Sequence, residues 1–210
     1  MHILVIGATG PSGIAFVEAA LKSNHKLTLY VRTPAKVPIE IQQHGDLDII
    51  QGTFDDDVAL GRPVASGSQN QPVTRFYEDK LFPAVRKTSG SGIRRLLICG
   101  TPSVQVPEDQ FSLKWYLMVW LLKTLVGDAY KEITGMGRAV FALPLDEVEW
   151  TMFRVPWLTN GEAKPVCAGM IQSEAGLLLS RKSIAVGLLQ ELEERKWVGK
   201  APALCNPGWI

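Results

Sequence analysis

The chain has 210 residues, of which 46% are hydrophobic and 20% charged, and its formal net charge is +1. This length supports one domain with a sizeable core, and the composition excludes intrinsic disorder. The balanced charge excludes an extended basic surface for nucleic acid, so the expected partner is a small molecule.

The three cysteines are odd in number, widely spaced and far from any histidine cluster; they are Cys99, Cys167 and Cys205. This pattern predicts reduced thiols in a cytoplasmic protein, with neither disulfides nor a metal site. The chain reads directly into a strand at His2, without the charged and apolar regions of a signal peptide.

One stretch is strongly apolar: residues 115–126, WYLMVWLLKTLV. It contains Lys123 and is shorter than the roughly twenty residues that span a bilayer. It therefore predicts a buried or lid helix and no membrane span, with a dimer face as the alternative. We expect a monomer or a homodimer.

The predicted elements begin with an apolar run at 2–6, HILVI, which is typical of a parallel strand covered on both faces. A helix over about 12–23 follows, and then strands at 26–31 and 48–51. Further along, the pattern predicts helices over 72–87, 109–126, about 128–142 and 182–196, and strands over 94–99 and 149–155. This order predicts an α/β fold with a doubly wound, mostly parallel sheet and helices on both faces.

The turn after the first strand is rich in glycine and reads G-x-x-G-x-x-G, with Gly7, Gly10 and Gly13. The first glycine suits a tight turn, the second lets backbone approach a phosphate, and the third lets the helix pack close to the sheet. Backbone N–H groups at such a helix N-terminus bind a dinucleotide pyrophosphate. The candidate phosphate-binding residues are Gly7, Thr9, Gly10, Pro11, Ser12 and Gly13. A turn that merely connects strand to helix is the alternative.

The end of the second strand indicates which dinucleotide binds. Sites for NAD generally place an acid there to hold the ribose hydroxyls, but this chain has Arg32 and Lys36. A guanidinium can grip the additional phosphate of NADP with two hydrogen bonds. The sequence therefore predicts NADP (NADPH) as cofactor, with a solvated loop charge as the alternative for Arg32.

Four segments carry a family likeness; they are GATGPSG (7–13), VRTP (31–34), RRLLICGTPSV (94–104) and EWTMFRVPWLTNG (149–161). Together they resemble the atypical short-chain dehydrogenase/reductases, above all the NmrA-like and biliverdin-reductase-B-like branches. The resemblance implies a single NAD(P)-binding Rossmann-like domain over 1–210 with a small C-terminal substrate-binding portion. It also implies that Phe54 and Asp55 lie near the adenine, and Arg154 and Pro156 near the nicotinamide.

The chain departs from the family in its catalytic residues. Typical short-chain reductases use Tyr-x-x-x-Lys, whereas the fourth residues after the four tyrosines here are Pro34, Leu81, Trp120 and Thr134. The candidate catalytic residues are instead Thr101 and Ser103, which follow a strand end and could orient a carbonyl, and Tyr130. A polar residue that caps a loop is the alternative for Thr101 and Ser103.

A second departure concerns the sheet itself. Relatives carry a further helix and strand before the long helix, but here a short helix from Phe54 to Arg62 leads into the loop PVASGSQNQ (63–71). One strand of the usual core is therefore predicted to be missing or shortened. Its loss leaves the first strand half unpaired or lets a later strand slide over.

The segment 111–141 would lie over the nicotinamide end, and Trp115, Tyr116 and Trp120 are the candidate substrate-binding residues. Packing of these rings on the core is the alternative. The leading function is an NADPH-dependent reductase of a small, fairly apolar carbonyl or conjugated, aromatic or polyketide-like substrate. The alternatives are a nonredox cyclase or isomerase, and an NmrA-like regulator that senses NADP.

Overall fold

A computed structural model describes residues 1–54, 72–87, 94–172 and 175–207. The first half of the chain forms β1 (His2–Ile6), α1 (Pro11–Lys22), β2 (Lys26–Val31), α2 (Ile39–Gln42) and β3 (Leu47–Gln51). The three strands are parallel and lie in the order β1-β2-β3. A 3-10 turn (Pro34–Lys36) follows β2.

The second half begins with α3, a helix over 72–87 whose middle section, Phe76–Leu81, is π-helical. The elements that follow are β4 (Arg94–Gly100), α4 (Leu113–Leu125), α5 (Gly127–Phe141), β5 (Val148–Arg154), β6 (Trp157–Thr159), β7 (Cys167–Gly169), β8 (Leu178–Ser180), α6 (Arg181–Glu194) and β9 (Ala203–Cys205). The main sheet of this half has the order β4-β5-β9-β7, in which only β7 is antiparallel to its neighbour. β6 and β8 pair separately.

The predicted α/β fold with mostly parallel strands flanked by helices is confirmed. One predicted boundary is wrong, because the helix expected from residue 109 begins at Leu113. The carboxylate of Asp109 accepts a hydrogen bond from the Val106 N–H and binds the side chain of Arg154, which holds 109–112 in a loop. No helix of the described residues is both long and apolar enough to cross a bilayer.

The two sheets share no backbone hydrogen bonds within the described residues, and the break falls between β1 and β4. The Lys26 N–H donates to the Met1 carbonyl at 2.9 Å, so odd-numbered residues of β1 bond to β2. The backbone groups of Leu4 and Ile6 point to the opposite edge, which has no partner in the described part of the chain. Most of the predicted short helix and the whole 63–71 loop lie outside the described residues.

Side-chain packing joins the two halves where the backbone does not. Ile6, at the end of β1, packs against a core cluster of the second half that includes Met152. On the other face, α6 lies against α1, and Ala185 of α6 is buried in the core cluster of the first half. Glu191 of α6 pairs with Arg95 of β4, so this one helix contacts both sheets.

Candidate functional site

The glycine turn after β1 is folded so tightly that it excludes side chains. Gly7 has a φ of +80°, a conformation that favours glycine. The Gly10 N–H donates to the Gly7 carbonyl at 3.1 Å and closes the turn. A Cβ on Gly13 would lie 2.3 Å from the Gly7 carbonyl oxygen and 2.8 Å from the Cα of Ala8. Residue 13 must therefore be glycine for α1 to pack on the turn as it does.

The first turn of α1 presents backbone donors to solvent. Gly10 is the N-cap and makes no side-chain capping bond, Pro11 occupies the first helical position, and the first turn contains no acid. The N–H groups of Ser12 and Gly13 have no acceptor among the described residues. Free N–H donors of this kind, together with the positive end of a helix dipole, are able to hold an anion. The six predicted loop residues come together here, with Thr9 half-buried in the turn.

Two cations lie beside this turn. In the parallel register Ile6 is opposite Tyr30, so the ends of β1 and β2 are level. Arg32 directly follows β2, and Lys36 is the last residue of the 3-10 turn after it. Both side chains are exposed, and neither has a hydrogen bond or ion pair to another described residue. No acid of the described residues neutralises them, so their charge is available to an anion near the glycine turn.

The loop after β3 is fixed by contacts with Tyr30 of β2 and Phe76 of α3. The Tyr30 hydroxyl donates to the Thr53 carbonyl at 2.8 Å, and a Cβ on Gly52 would lie 2.3 Å from the hydroxyl oxygen. Phe54, predicted near the adenine, stacks on Phe76 with ring centroids 4.4 Å apart. Asp55, predicted beside it, lies outside the described residues.

Arg154, at the end of β5, is fully buried and engaged by protein groups. Its guanidinium donates to both carboxylate oxygens of Asp109, at 2.5 and 2.8 Å, and to the Val104 carbonyl at 3.1 Å. Burial alone would raise the pKa of Asp109, but hydrogen bonds from Arg154, Ile171 and Val106, with the positive charge of Arg154, hold it below its usual value. The structure thus places Arg154 as an internal anchor of the loop after β4, with Pro156 buried beside it.

Thr101 and Ser103 follow β4 and differ in access to solvent. Ser103 is only 5% exposed, and its Oγ is buried without a hydrogen-bond partner among the described residues. Thr101 is half-buried, and its Oγ1 accepts the Ser103 N–H at 3.3 Å, which leaves its own proton free to donate. Thr101 is therefore the hydroxyl that a ligand over the sheet edge can reach.

The structure separates the other candidates. Trp115 is 3% exposed and packs with Ile171, whereas Tyr116 and Trp120 lie on the solvent face of α4, so the three rings do not line one pocket. Tyr130 lies seven residues before Gly137, the α5 residue that packs on Val104 beside Ser103, or about 10 Å along the helix. Lys123 Nζ lies 5.7 Å from the Tyr130 ring centroid.

Sequence comparison adds the deciding observation. The pattern of the NAD(P)H-binding family matches residues 7–195, from the glycine turn to the end of the last long helix. The chain belongs to the NAD(P)H-binding family. No curated protein matches it in sequence.

Solved structures share the fold of this family member across nearly its whole length. A short-chain dehydrogenase/reductase of Veillonella parvula is 18% identical, with a TM-score of 0.75, covering 99% of this chain and 94% of that one. The complex with NADP of a short-chain dehydrogenase/reductase from that species is 18% identical, with a TM-score of 0.73 and coverages of 99% and 95%. The anaerobillin reductase ChuY of Escherichia coli is 16% identical, with a TM-score of 0.74 and coverages of 100% and 99%. The predicted resemblance is confirmed for the NAD(P)H-binding family and for the fold that these short-chain reductases have.

In this member of the NAD(P)H-binding family, sequence reasoning missed Asp109. An available signal was that a buried arginine requires an acid, and Asp109 follows the same strand end as Thr101 and Ser103. The reasoning also missed Tyr30, whose hydroxyl fixes the loop after β3. Within the described residues no group of histidine, cysteine and acidic side chains is arranged to hold a metal ion.

Proposed function

We propose that the protein binds NADPH along the carboxyl edge of its strands and reduces a small, fairly apolar carbonyl or conjugated substrate. The observation that carries the proposal is the glycine turn, where a Cβ on Gly13 would meet backbone at 2.3 Å. This close packing leaves the first-turn N–H groups of α1 open to a pyrophosphate. The residues present thus fit the phosphate portion of the cofactor.

Preference for NADPH would come from Arg32 and Lys36. Both are exposed; Arg32 directly follows β2, the strand next to β1, and Lys36 lies in the 3-10 turn that comes after it. A guanidinium can give two parallel hydrogen bonds to a phosphate, and Lys36 adds positive charge. The hydroxyls of an NAD ribose offer no negative charge to either side chain.

At the second sheet, Thr101 would orient the substrate. Reduced nicotinamide supplies a hydride when bound. The Thr101 hydroxyl can donate a hydrogen bond to a substrate carbonyl oxygen and hold it at the end of β4. The proton that balances the hydride would come from solvent or from the substrate, because none of the tyrosines is followed by lysine at the fourth position. Met170 is half-buried, with its sulfur 3.9 Å from the guanidinium of Arg154 at the end of β5, and an apolar side chain at this edge favours an apolar substrate.

Calorimetric titration with NADPH and NADH tests cofactor choice. We expect NADPH to bind more tightly, and Arg32→Gln to weaken NADPH by about 10–100-fold with little effect on NADH, the size of a lost charged hydrogen bond. Arg138→Gln is the matched control, because Arg138 is an exposed arginine of α5. Equal loss for both nucleotides, or no loss, would contradict the assignment of Arg32.

Turnover is tested with a panel of quinones and enones, following loss of nicotinamide absorbance. Thr101→Val should lower the turnover number and leave the affinity for NADPH unchanged. Thr134→Val is the control, since the Thr134 hydroxyl donates only to carbonyls of its own helix. Equal effects of the two substitutions would remove Thr101 from the site.

A regulator that senses NADP without turnover is the second candidate. The observation favouring it is that the two terminal nitrogens of the Arg154 guanidinium, at the end of β5, already donate to Asp109 and Val104. Tight NADPH binding with no consumption across the panel would support this function. Conversion of substrate without change in the cofactor would instead support a nonredox cyclase or isomerase.

A further inference from the structure

Two of the three cysteines, far apart in sequence, face each other across a pair of strands. Cys167 on β7 is directly opposite Cys205 on β9 in the antiparallel register. Side chains of directly opposed residues project from the same face, with Cβ atoms about 4.5–5.5 Å apart. The Cα separation of such pairs, about 4.5–5.5 Å, falls within the range that a disulfide requires. The isolated thiols expected from the sequence are thus a facing pair.

The two thiols differ in their surroundings. Cys167 is exposed, on the strand at the edge of the sheet, whereas Cys205 is half-buried. Cys205 shares its face with Ala203, which packs against Trp115 of α4, whereas Leu204 packs in the cluster on the other face. The Cys167 thiol is therefore accessible to a reagent in solution, whereas the Cys205 thiol is partly shielded from it.

A cation lies beside the inner thiol. Burial raises the pKa of Cys205; the Gly176 amide and the charge of Lys114 oppose the increase, and Cys167 adds to it. The Lys114 Nζ is buried and has no hydrogen-bond partner among the described residues. A thiolate formed on Cys205 during exchange would therefore have an ammonium group near it.

We propose that Cys167 and Cys205 form a redox-active dithiol that closes to an intrachain disulfide on reaction with a low-molecular-weight disulfide. The Cys167 thiolate attacks one sulfur of the reagent, forms a mixed disulfide and releases one thiolate. Cys205 then loses its proton and attacks the Cys167 sulfur, which releases the second thiol. The protein loses two protons and two electrons, and the reagent takes them up and is reduced to two thiols.

This site is separate from the proposed cofactor chemistry. The new bond would tie the edge strand β7 to β9, which in turn pairs with β5 at Arg154. Cys99 takes no part, because it lies on β4. The proposal can therefore fail while cofactor binding holds, or hold while cofactor binding fails.

The test uses the full chain treated with glutathione disulfide, followed by thiol titration and peptide mapping. We expect a Cys167–Cys205 bridge with one thiol left per chain, reversed by a dithiol reductant. Cys205→Ser should accumulate glutathione on Cys167, because no second thiol resolves it. Cys99→Ser is the matched control and should form the bridge as the unsubstituted protein does.

Three results would overturn the proposal. They are disulfides between chains as the main product, a bridge that includes Cys99, and Cys205→Ser showing no more glutathione than the unsubstituted protein. Circular dichroism establishes that each serine variant is folded. If Cys205→Ser does not fold, alkylation of the unsubstituted protein tests the proposal instead. The Cys167 thiol must then react faster than the Cys205 thiol, and formation of the disulfide beforehand must protect both from alkylation.

Discussion

Gly13 is the residue where the candidate site tolerates least change. A Cβ there would meet backbone of Gly7 and Ala8, which cannot rotate away, so Gly13→Ala must displace α1 from the turn. We expect a loss of about 1–3 kcal/mol in the free energy of unfolding, the usual cost of overpacking, together with weaker NADPH binding. Denaturant titration and calorimetry measure the two effects.

The matched control for this substitution is Gly45→Ala. A Cβ on Gly45 would meet nothing within 4 Å, and its φ is not in the left-handed region. This variant should keep both the stability and the affinity of the unsubstituted protein. If Gly13→Ala behaves like Gly45→Ala, the turn does not pack as described.

Asp109 is the residue on which the loop after β4 depends. Its removal would leave Arg154 buried without a counter-charge, so Asp109→Ala should cost about 3–5 kcal/mol of unfolding free energy. Asp128→Ala, which removes an exposed acid paired with Lys131 at 3.6 Å, should leave stability unchanged. Denaturant titration compares the unfolding free energies of the two variants. Similar losses would show that the buried Asp109–Arg154 pair contributes no more to stability than an exposed ion pair.

The same pair predicts the pH dependence of stability. The pKa of Asp109 is lower in the folded state, so its contribution is fully present above the ordinary pKa of an aspartate. The contribution is lost as the pH falls through the lowered value. Midpoints of denaturation measured over this acid range should fall less steeply for Asp109→Asn than for the unsubstituted protein. Parallel curves would contradict the prediction.

Helix α4 is apolar on two faces, and only one of them packs against other described residues. Trp115 is 3% exposed and Trp120 is 53% exposed. Trp115→Ala should therefore cost about 3–5 kcal/mol of unfolding free energy, and Trp120→Ala within about 0.5 kcal/mol. Denaturant titration of both variants, each an identical substitution in one helix, checks the assignment of faces. Equal costs would show that the outer face is also covered.

Strand β1 has hydrogen-bond partners on one side only within the described residues. The amides of Ile3 and Val5 bond to β2, and those of Leu4 and Ile6 point to the opposite edge. We expect faster hydrogen exchange at Leu4 and Ile6 than at Ile3 and Val5, measured residue by residue by NMR. Equal protection would show that another strand pairs with this edge.

Most elements could be predicted from sequence because their patterns are local. The run HILVI, the glycine turn and the helical spacing of α1 predict the first βαβ unit within a residue or two. What could not be predicted depends on contacts between distant segments. The loop before Leu113 depends on the pairing of Asp109 with Arg154. The position of Cys167 opposite Cys205 depends on the register between β7 and β9. Periodicity alone also gave no means of distinguishing the two faces of α4, since both are apolar.

At the scale of the molecule, one helix connects two sheets that carry different parts of the candidate site. The glycine turn and Arg32 belong to the first sheet, and Thr101 to the second. α6 buries Ala185 against the first half and pairs Glu191 with Arg95 in the second. If these contacts of α6 are strong, the two halves of the chain unfold together. A ligand bound to the first half then also stabilises the second half against unfolding.

A ligand that contacts only the first half tests this coupling. Adenosine 2′,5′-bisphosphate carries the additional phosphate of NADP but no nicotinamide, and all six tryptophans lie in the second half: Trp115, Trp120, Trp150, Trp157, Trp197 and Trp209. At a hundredfold excess over its Kd, the ligand should raise the unfolding free energy followed by tryptophan fluorescence by about 2.7 kcal/mol, because a ligand of the native state stabilises the whole cooperative unit. Adenosine without phosphates is the control and should have no comparable effect. A tryptophan transition that stays fixed while the ligand binds would show that the halves unfold independently, and that α6 does not couple the phosphate site to the sheet that bears Thr101.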